Sequence, residues 1–436
     1  MKELFRRVFL ESLEALSPKE LFRNLLGEDL RSVLPLFVGG RVHPLAWGKG
    51  ASEMALAWES LYPDSFNEGC AVVLKDDPRA EALSPRWRVC RGNHPLPDGS
   101  SLKAGLELFR WVRERVERDD LLLLLMSGGA SALAVLPAEG ITLEEKVGAV
   151  EALMRSGASI GELNTLRRHL SSIKGGRLAK AVYPASTLTL ALSDVSGGRL
   201  EDIGSGPGVP DGTTFFDLER ILRRRDLWER VPPGVARYIR QGLEGLREET
   251  PKEGSLEMSR QRGMVLADTS TALSRAELLF RREGFDPETL SADDGGEARE
   301  VGRLYAQRVK DLANHSSGTV LALAGGETTV TVKGRGKGGR NLELLLSMAM
   351  EMEGFSGSWT FLSAGTDGRD GTSSFAGGIL DEAGWRRAKE RGANPRALLD
   401  ENDSHAFFVE GGCGLTTGPT GTNVRDLRFF WVRRDQ

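Results

Sequence analysis

The sequence predicts an α/β protein with two domains, each a largely parallel sheet flanked by helices. Apolar runs of strand length alternate with amphipathic stretches of helix length along the chain, which is the pattern of βα units. At 436 residues the chain exceeds the size at which one hydrophobic core usually stops growing. A polar segment with proline and glycine, residues 247–255, is the best candidate for a linker. We therefore predict domains at residues 1–245 and 256–436.

The predicted strands are apolar runs bounded by turn residues, and the predicted helices are amphipathic stretches of good helix formers. The strands are residues 71–74, 121–126, 188–192, 264–267, 320–324 and 359–363. The helices are residues 102–118, 143–156, 269–283, 297–313 and 341–352. The last apolar run, residues 427–432, fits a strand of either sheet.

The N-terminal residues predict a packing helix. Phe5, Val8, Phe9 and Leu13 recur at helical spacing among charges, without the continuous apolar stretch of a signal peptide. The longest uncharged run, residues 121–138, approaches membrane length, but Ser127-Gly128-Gly129 and Pro137 interrupt it. A buried strand, a turn and a helix fit this run better, so we predict no membrane partner.

Charge and cysteine content narrow the class of ligand. Lys and Arg number 58 against 62 acids, so no excess of positive charge favours nucleic acid or anionic lipid. Cys70, Cys90 and Cys413 are odd in number and widely spaced, which favours buried thiols in a reducing cytoplasm over a disulfide framework. The composition predicts a cytoplasmic protein that binds a small charged molecule.

A glycine-rich basic loop precedes one of the predicted helices. It reads Gly334-Arg335-Gly336-Lys337-Gly338-Gly339-Arg340. Free amides at a helix start, glycines that admit close approach and three cations together predict binding of a polyphosphate or another anion. A solvated basic turn is the alternative, since a single glycine-rich match is weak evidence.

Four predicted strands end in similar loops, rich in Gly, Ser, Thr and Asp. The loops are Ser127-Gly128-Gly129-Ala130-Ser131, Ser193-Asp194-Val195, Gly325-Gly326-Glu327-Thr328 and Ala364-Gly365-Thr366-Asp367-Gly368. In open α/β sheets, ligands bind beyond the carboxyl ends of strands. Because the loops occur in both predicted domains, we expect a ligand site in the cleft between the domains.

These loops carry the groups that phosphoryl transfer requires: cations, oxygen ligands for a metal and a means of positioning a hydroxyl. Lys49, in Gly48-Lys49-Gly50, adds a cation to those of the basic loop. Asp194, Glu327 and Asp367 offer carboxylates for Mg²⁺. The alternatives are a solvent-facing role for Lys49 and helix capping for the acids. Asp370 and Asp426 fit turn residues as well as ligands.

Motifs of common nucleotide-binding and hydrolytic folds are absent from the sequence. It contains no GxxxxGK[ST], HRD, DFG or GxSxG, and its five histidines lack zinc-ligand spacing. His94, in a loop fixed by prolines, is a weak candidate for a substrate contact. A nucleotide would therefore bind outside the P-loop and protein-kinase architectures.

An ordered set of sequence blocks resembles a known family. The blocks are Gly48-Lys49-Gly50-Ala51-Ser52, Ser127-Gly128-Gly129-Ala130-Ser131, residues 169–179, Leu192-Ser193-Asp194-Val195, Gly204-Ser205-Gly206-Pro207, residues 325–330, Gly338-Gly339-Arg340-Asn341, Gly365-Thr366-Asp367-Gly368 and residues 417–424. From about residue 3 to 433 the chain resembles the glycerate 2-kinases that carry a C-terminal MOFRL domain. So many collinear blocks make the match specific.

The resemblance implies a function and a set of functional residues. It implies phosphorylation of D-glycerate at the 2-hydroxyl, with ATP and Mg²⁺, by a Rossmann-like N-terminal domain and a MOFRL domain. The family's catalytic lysine falls on Lys49 and its catalytic arginine on Arg340. The strand-end acids of the family fall on Asp194, Glu327 and Asp367. Its terminal TGPTGTN loop falls on residues 417–423, which include Thr420 and Asn423.

We assign each candidate residue a role. Asp194 orients or deprotonates the acceptor hydroxyl, Lys49 and Arg340 are catalytic, and Glu327 and Asp367 are metal ligands. The predicted substrate and phosphate contacts are Ser127, Gly128, Gly129, Ser131, Gly336, Lys337, Gly338, Gly339, Thr420 and Asn423.

Two other functions are considered. An NAD(P)-dependent hydroxypyruvate reductase, a label that this family has sometimes carried, would use Gly334-x-Gly336-x-x-Gly339 as a dinucleotide turn. A non-catalytic sugar-phosphate sensor would use the serine and glycine loops to bind phosphate. The N-terminal helix also offers a contact surface for a homodimer.

Overall fold

The computed structural model describes residues 1–25, 39–315 and 318–435. Two compact units are present: an N-terminal unit, Leu21–Leu266, and a C-terminal unit, Met1–Glu20 with Ala267–Gln436. The chain starts with helices α1 (Lys2–Ala15) and α2 (Pro18–Leu25), which Leu16 and Ser17 separate. The proline at the start of α2 lacks the amide that would continue α1. Each unit contains one six-stranded sheet, so the predicted two-domain α/β class is confirmed.

The sheet of the N-terminal unit has the order β3-β2-β1-β4-β5-β6. Its strands are β1 (Val42–Trp47), β2 (Gly69–Leu74), β3 (Trp87–Gly92), β4 (Leu121–Met126), β5 (Ser186–Leu192) and β6 (Gln261–Ala267). The four pairings from β3 to β5 are parallel. This order is that of the Rossmann fold. Every residue of β4 is buried, as expected for a central parallel strand covered on both faces.

Helices surround this sheet and form a second apolar cluster beside it. They are α3 (Ala51–Leu61), α4 (Gly99–Arg115), α5 (Ala130–Leu133), α6 (Leu143–Arg155), α7 (Ile160–His169), α8 (Arg177–Val182), α9 (Phe215–Arg224) and α10 (Pro233–Leu243). Helices α6, α7, α9 and α10 share the core that contains Leu166, Phe215 and Trp228. Short 3₁₀ turns occur at Pro78–Ala82, Ser196–Gly198, Ile203–Ser205 and Leu256–Met258.

The sheet of the C-terminal unit has the order β11-β10-β9-β12-β8-β7. Its strands are β7 (Glu288–Asp294), β8 (Thr319–Gly326), β9 (Gly357–Gly365), β10 (Gly377–Asp381), β11 (Gly414–Leu415) and β12 (Asp426–Arg434). Only β7 and β8 pair in parallel, and the other four pairings are antiparallel. The prediction of a largely parallel second sheet is therefore wrong. β12 enters between β8 and β9 in the opposite direction, and burial on both faces gives it the apolar run of a parallel strand.

The helices of the C-terminal unit pack on this sheet. They are α11 (Thr269–Arg282), α12 (Ala298–His315), α13 (Arg340–Glu351), α14 (Glu382–Glu390), α15 (Pro395–Asp400) and α16 (Ser404–Gly411). Phe5 of α1 is fully buried, with edge-to-face contacts to Phe280 and Phe429. The apolar face of α1 is thus used for packing within the chain.

The division into units differs from the predicted domains 1–245 and 256–436 at both ends. Helix α1 belongs with the C-terminal unit, and residues 256–266 belong with the N-terminal unit because β6 joins its sheet. Nor do residues 247–255 form an exposed linker. Thr250 is buried and donates from Oγ1 to Asp211 Oδ2 at 3.0 Å. Within the described ranges, no helix is both long and apolar enough to cross a membrane.

Glu162 near the start of α7 is expected to make N-terminal unit stability depend on pH. Its carboxylate accepts from Arg225 Nη2 at 2.6 Å. This contact, with Ser159 N–H and Arg224, lowers the pKa of Glu162 from 4.5 to about 2 despite burial. A depressed carboxyl pKa stabilises the folded state above pH 4.5, and this contribution is lost as the pH falls toward 2.

We expect Glu162→Gln to lower the free energy of unfolding at pH 7 by roughly 1–2 kcal/mol, since its arginine partners are partly solvated. The difference from wild type should shrink as the pH falls from 4.5 toward 2. Urea unfolding at pH 7, 4 and 3 measures it. Glu151→Gln is the matched control, because Glu151 forms its ion pair with the exposed Arg155 within helix α6 of the same unit. A difference for Glu162→Gln that is constant across these pH values would contradict the assignment.

Candidate active site

In the N-terminal unit, the loops after β1 and β4 lie side by side where the order of strands reverses. Trp47, the last residue of β1, is in register with Met126, the last residue of β4. From β1 the chain continues to β2 on one side, and from β4 it continues to β5 on the other. Such a reversal opens a crevice at the carboxyl ends of the strands, where open α/β sheets bind ligands.

Hydrogen bonds fix the two loops together. Lys49 N–H donates to Gly128 O at 2.9 Å, and Gly50 N–H donates to Ser127 Oγ at 3.0 Å. Gly48 has φ +137°, and a Cβ there would lie 2.2 Å from Ser127 Oγ. Only glycine permits this approach. The backbone at Lys49 is therefore held in place, while its side chain is exposed.

Asp194 and His94 border the same turn. A Cβ on Gly128 would lie 1.6 Å from Asp194 Oδ2, so the carboxylate directly abuts this glycine. A Cβ on Gly129 would lie 2.9 Å from Lys49 Cγ and 3.1 Å from His94 Cδ2. The structure thus brings together the predicted residues Lys49, Gly128, Gly129 and Asp194.

The structure supports a role for His94 at this site more strongly than the sequence did. Burial, with the nearby charge of Lys49, lowers the pKa of His94 to about 4. The imidazole is therefore neutral near pH 7 and offers one donor and one acceptor to a ligand. The only sequence signal was its place in a loop fixed by Pro95 and Pro97, which does not reveal that the ring lies beside Lys49.

Ser131 follows Gly129 by two residues and makes a different contact. Its hydroxyl is 3.0 Å from that of Ser205, a buried residue in the left-handed region with φ +61°. Ser205 in turn donates to Asn164 Oδ1 at 3.2 Å. The predicted contact residue Ser131 is therefore linked through Ser205 to Asn164 in the middle of α7.

In the C-terminal unit, Arg340 is held by carboxylates. Its Nε and Nη2 donate to Asp426 Oδ2 and Oδ1 at 2.7 and 2.9 Å, and its Nη1 lies 2.8 Å from Glu327 Oε1. Asp426, the first residue of β12, lies between the ends of β8 and β9, opposite Gly326 and Gly365. The two-bond pairing fixes the plane of the guanidinium.

Asp426 is a structural centre, whereas the sequence fitted it equally to a turn residue or a ligand. It is fully buried and also receives Arg428 Nη2 at 3.3 Å, while Arg428 Nη1 donates to Asp294 Oδ2 at 2.8 Å. Burial alone would raise the pKa of Asp426, but Arg340 and Arg428 hold that pKa below its usual value. An acid and an arginine in an otherwise apolar strand were the available signal, because buried charges require partners.

The other predicted residues of this unit lie in two adjoining loops. A Cβ on Gly365 would lie 3.0 Å from Asp367 Oδ1 and 3.5 Å from Asp426 Oδ1, so these carboxylates approach the same glycine. Thr420 Oγ1 donates to Thr366 O at 2.5 Å, which attaches the 417–423 loop to the end of β9. Asn423 Oδ1 accepts from Arg425 N–H at 3.1 Å.

The glycine-rich loop directs its amides toward protein acceptors. Gly336 N–H donates to Glu401 O at 2.9 Å, and Lys337 N–H donates to Asp403 Oδ1 at 3.0 Å. Gly338 N–H donates to Thr372 Oγ1 at 3.2 Å. The loop therefore does not present the open set of amides that its composition predicted, although the side chain of Lys337 is exposed.

Helix α13, which follows that loop, begins at a carboxylate of the protein itself. Asp370 accepts from the amides of Asn341 and Leu342 at 2.9 and 3.0 Å. A Cβ on Gly339 would lie 2.4 Å from Asp370 Oδ1, so this glycine is required for close packing. Burial raises the pKa of Asp370 to about 7, against the lowering effect of the two amides. Asp370 thus fills the anion position that helix starts provide.

Comparison with known proteins gives consistent results. Residues 4–240 match a family described as a domain of unknown function, DUF4147, and residues 320–426 match the MOFRL family. The chain is 36% identical to D-glycerate 2-kinase of Thermotoga maritima, over 98% of this chain and 97% of the relative. It is 34% identical to glycerate 2-kinase of Pyrococcus horikoshii, over 98% and 96% of the two chains.

A solved structure of a Thermotoga maritima glycerate kinase superposes with a TM-score of 0.86, at 36% sequence identity and covering 99% of both chains. Identity above 30% over nearly the whole length, together with the same fold, establishes the relationship. The chain belongs to the glycerate 2-kinase family with a MOFRL domain.

Proposed function

We propose that this protein transfers the γ-phosphoryl group of ATP to the 2-hydroxyl of D-glycerate, giving 2-phosphoglycerate and ADP. The main supporting observation is that hydrogen bonds join the Lys49 loop to the Ser127–Gly129 turn at the point where the order of strands reverses. Such a junction supports a small-ligand site, and near full-length relatives named glycerate 2-kinase support the reaction.

The residues around Gly128 and Gly129 fit the handling of the acceptor. In the proposal, Asp194 accepts the proton of the 2-hydroxyl as its oxygen attacks the γ-phosphorus, and the bond from phosphorus to the bridging oxygen of ADP breaks. Lys49 stabilises negative charge on the phosphoryl oxygens, because its exposed ammonium extends from a rigid backbone. Neutral His94 orients the substrate by a hydrogen bond.

Arg340 is the proposed cation for the transferring phosphoryl group in the C-terminal unit. Asp426 accepts from Nε and Nη2 of Arg340, and Glu327 pairs with Nη1. A guanidinium carries five N–H donors, so two remain for phosphate oxygens in this arrangement. Lys337 adds an exposed cation. Because amides of the glycine-rich loop already have protein acceptors, we propose that side chains rather than these amides contact phosphate there. Thr420 and Asn423 remain proposed phosphate contacts.

Mg²⁺ is part of the proposal. Among the described residues, no three His, Cys, Asp or Glu side chains are grouped so that they could hold a metal ion by themselves. Mg²⁺ bound to a nucleotide requires fewer protein ligands, since it takes one or two carboxylates and completes its coordination shell with phosphate and water. Asp367, which is partly exposed beside Gly365, and half-exposed Glu327 fit that requirement. When bound, the ion would neutralise phosphate charge.

Phosphorus NMR of a reaction with ATP and D-glycerate tests the function, because it separates 2-phosphoglycerate from 3-phosphoglycerate. We expect ADP and 2-phosphoglycerate in equal amounts. A reaction that omits Mg²⁺ and contains a chelator should form no product. Exclusive formation of 3-phosphoglycerate, or no phosphorylated product, would contradict the proposal.

The reductase alternative has less geometric support. The Gly334-x-Gly336-x-x-Gly339 segment would have to connect a strand tightly to a helix and leave its amides open. Here β8 ends at Gly326, α13 begins at Arg340, and amides of the loop have protein acceptors. We expect no loss of NADH absorbance with hydroxypyruvate. Oxidation of NADH at a catalytic rate would favour the reductase.

Location in the cytoplasm and assembly as a homodimer belong to the same proposal. The near-neutral charge balance and the absence of a disulfide pattern in the sequence support the first. Light scattering coupled to size-exclusion chromatography tests the second, with twice the 47.5 kDa chain mass as the expected result.

A further inference from the structure

The N-terminal unit contains a group of cations that the assigned roles do not use. Lys174 is 1% exposed, donates to Gly204 O at 3.1 Å and lies 4.8 Å from the centre of the Trp47 ring. Lys146 is also buried and donates to Leu170 O at 2.8 Å. Arg167, on the last turn of α7, is half-buried and donates from Nη1 to Asn164 Oδ1 at 3.3 Å.

Within residues 1–25, 39–315 and 318–435, neither Lys146, Arg167 nor Lys174 forms an ion pair with a carboxylate, whereas the neighbouring Arg168 pairs with Asp211 at 3.3 Å. Burial, followed by the charge of Arg167, lowers the pKa of Lys174 to about 7. Lys174 is therefore only partly protonated near pH 7, and an anion bound nearby would favour its charged form.

The cation group adjoins the Ser127–Ser131 turn. Asn164 Oδ1 accepts from both Arg167 and Ser205, and the Ser205 hydroxyl is 3.0 Å from that of Ser131. Gly204, whose carbonyl accepts from Lys174, packs on the same turn, because a Cβ there would lie 3.1 Å from Ala130 Cβ. Ser131 and Arg167 are both partly exposed and so are open to a small solute.

We infer that Arg167 and the Ser131 hydroxyl bind the carboxylate of the acceptor, with Lys174 as the buried charge that strengthens this binding from behind. The inference rests on the proposed function for the identity of the anion, a small 2-hydroxy carboxylate. It assigns acceptor recognition to Arg167 on the last turn of α7 rather than to Lys49. Arg167 is suited to the role because a guanidinium can bind both carboxylate oxygens.

Steady-state kinetics of Arg167→Gln test this assignment. We expect the KM for D-glycerate to rise about 10–100-fold, the loss typical of one charged hydrogen-bonding partner, with the KM for ATP unchanged. Arg237→Gln is the matched control, because Arg237 is an exposed arginine on α10 of the same unit, and it should behave as wild type. An unchanged KM for D-glycerate in Arg167→Gln would overturn the inference.

Lys174→Met separates a ligand-binding role from a structural one. Removing an uncompensated buried charge should leave the Tm of the ligand-free protein unchanged or higher, and should weaken the stabilisation by D-glycerate. A lower Tm together with undiminished stabilisation by D-glycerate would make Lys174 a structural residue and overturn its part in the inference.

Thermal shifts measured with D-glycerate alone and with ADP alone test the inference independently of the proposed function, because they report binding without turnover. Stabilisation of wild type by D-glycerate that Arg167→Gln abolishes, with stabilisation by ADP intact, supports the carboxylate site even if no phosphorylated product forms. Loss of the ADP effect instead would assign Arg167 to the nucleotide and overturn the inference.

Discussion

Arg340→Ala is expected to lower kcat by about three orders of magnitude, the scale at which an arginine stabilises a transferring phosphoryl group. The same change should cost stability. Arg340 is a bidentate partner of fully buried Asp426, and its removal leaves that carboxylate with Arg428 at 3.3 Å. Removing one partner of a buried pair typically costs 3–5 kcal/mol, and the remaining arginine reduces this to about 2–3 kcal/mol. Coupled ADP release measures kcat, and urea unfolding measures the free energy.

A double variant separates the two effects. The double variant Arg340→Ala with Asp426→Asn removes the buried carboxylate charge that would otherwise have lost its Arg340 partner. The amide oxygen that the second substitution introduces can still accept from Arg428. We expect it to regain most of the lost stability while kcat stays low. Near wild-type kcat in Arg340→Ala would remove Arg340 from the mechanism. Equal stability of the single and double variants would show that the buried carboxylate is not the source of the loss.

Lys49→Ala is expected to lower kcat by about 10²–10³-fold without a change in Tm, because it deletes the charge that we propose acts in the reaction. The contacts that fix this loop are made by the amides of Lys49 and Gly50, which alanine retains. The side chain is exposed and crosses Gly129 only through its aliphatic part.

The control for this prediction is Lys103→Ala, which removes a lysine whose side chain is 78% exposed in the same unit. It should leave both kcat and Tm unchanged. Normal kcat with a raised KM for ATP in Lys49→Ala would restrict Lys49 to nucleotide binding. A lowered Tm would mean that its aliphatic part contributes to packing over Gly129.

The sequence alone indicated seven strands, among them β4, β8 and β12, several of the longer helices and the loops after β1 and β4, but it did not indicate β1, β3, β7, β10 or β11. Buried strands appear as continuous apolar runs such as Leu121–Met126, and glycines are required where loops approach closely. These features are local, so the order of residues along the chain is enough to reveal them. Lys49 and Asp194 were selected on the same ground, and their roles remain proposals.

Only the tertiary structure decided the direction of β12, the pairing of Arg340 with Asp426, the capping of α13 by Asp370 and the link from Ser131 to Arg167. Each joins residues far apart in the chain, and neither hydrophobic period nor composition records such a pairing. The glycine-rich loop illustrates the limit. Its composition predicted open amides, but the acceptors Glu401 and Asp403 come from a distant segment that folding brings against it. Whether a polar group is open to a ligand depends on which partners the fold has already given it.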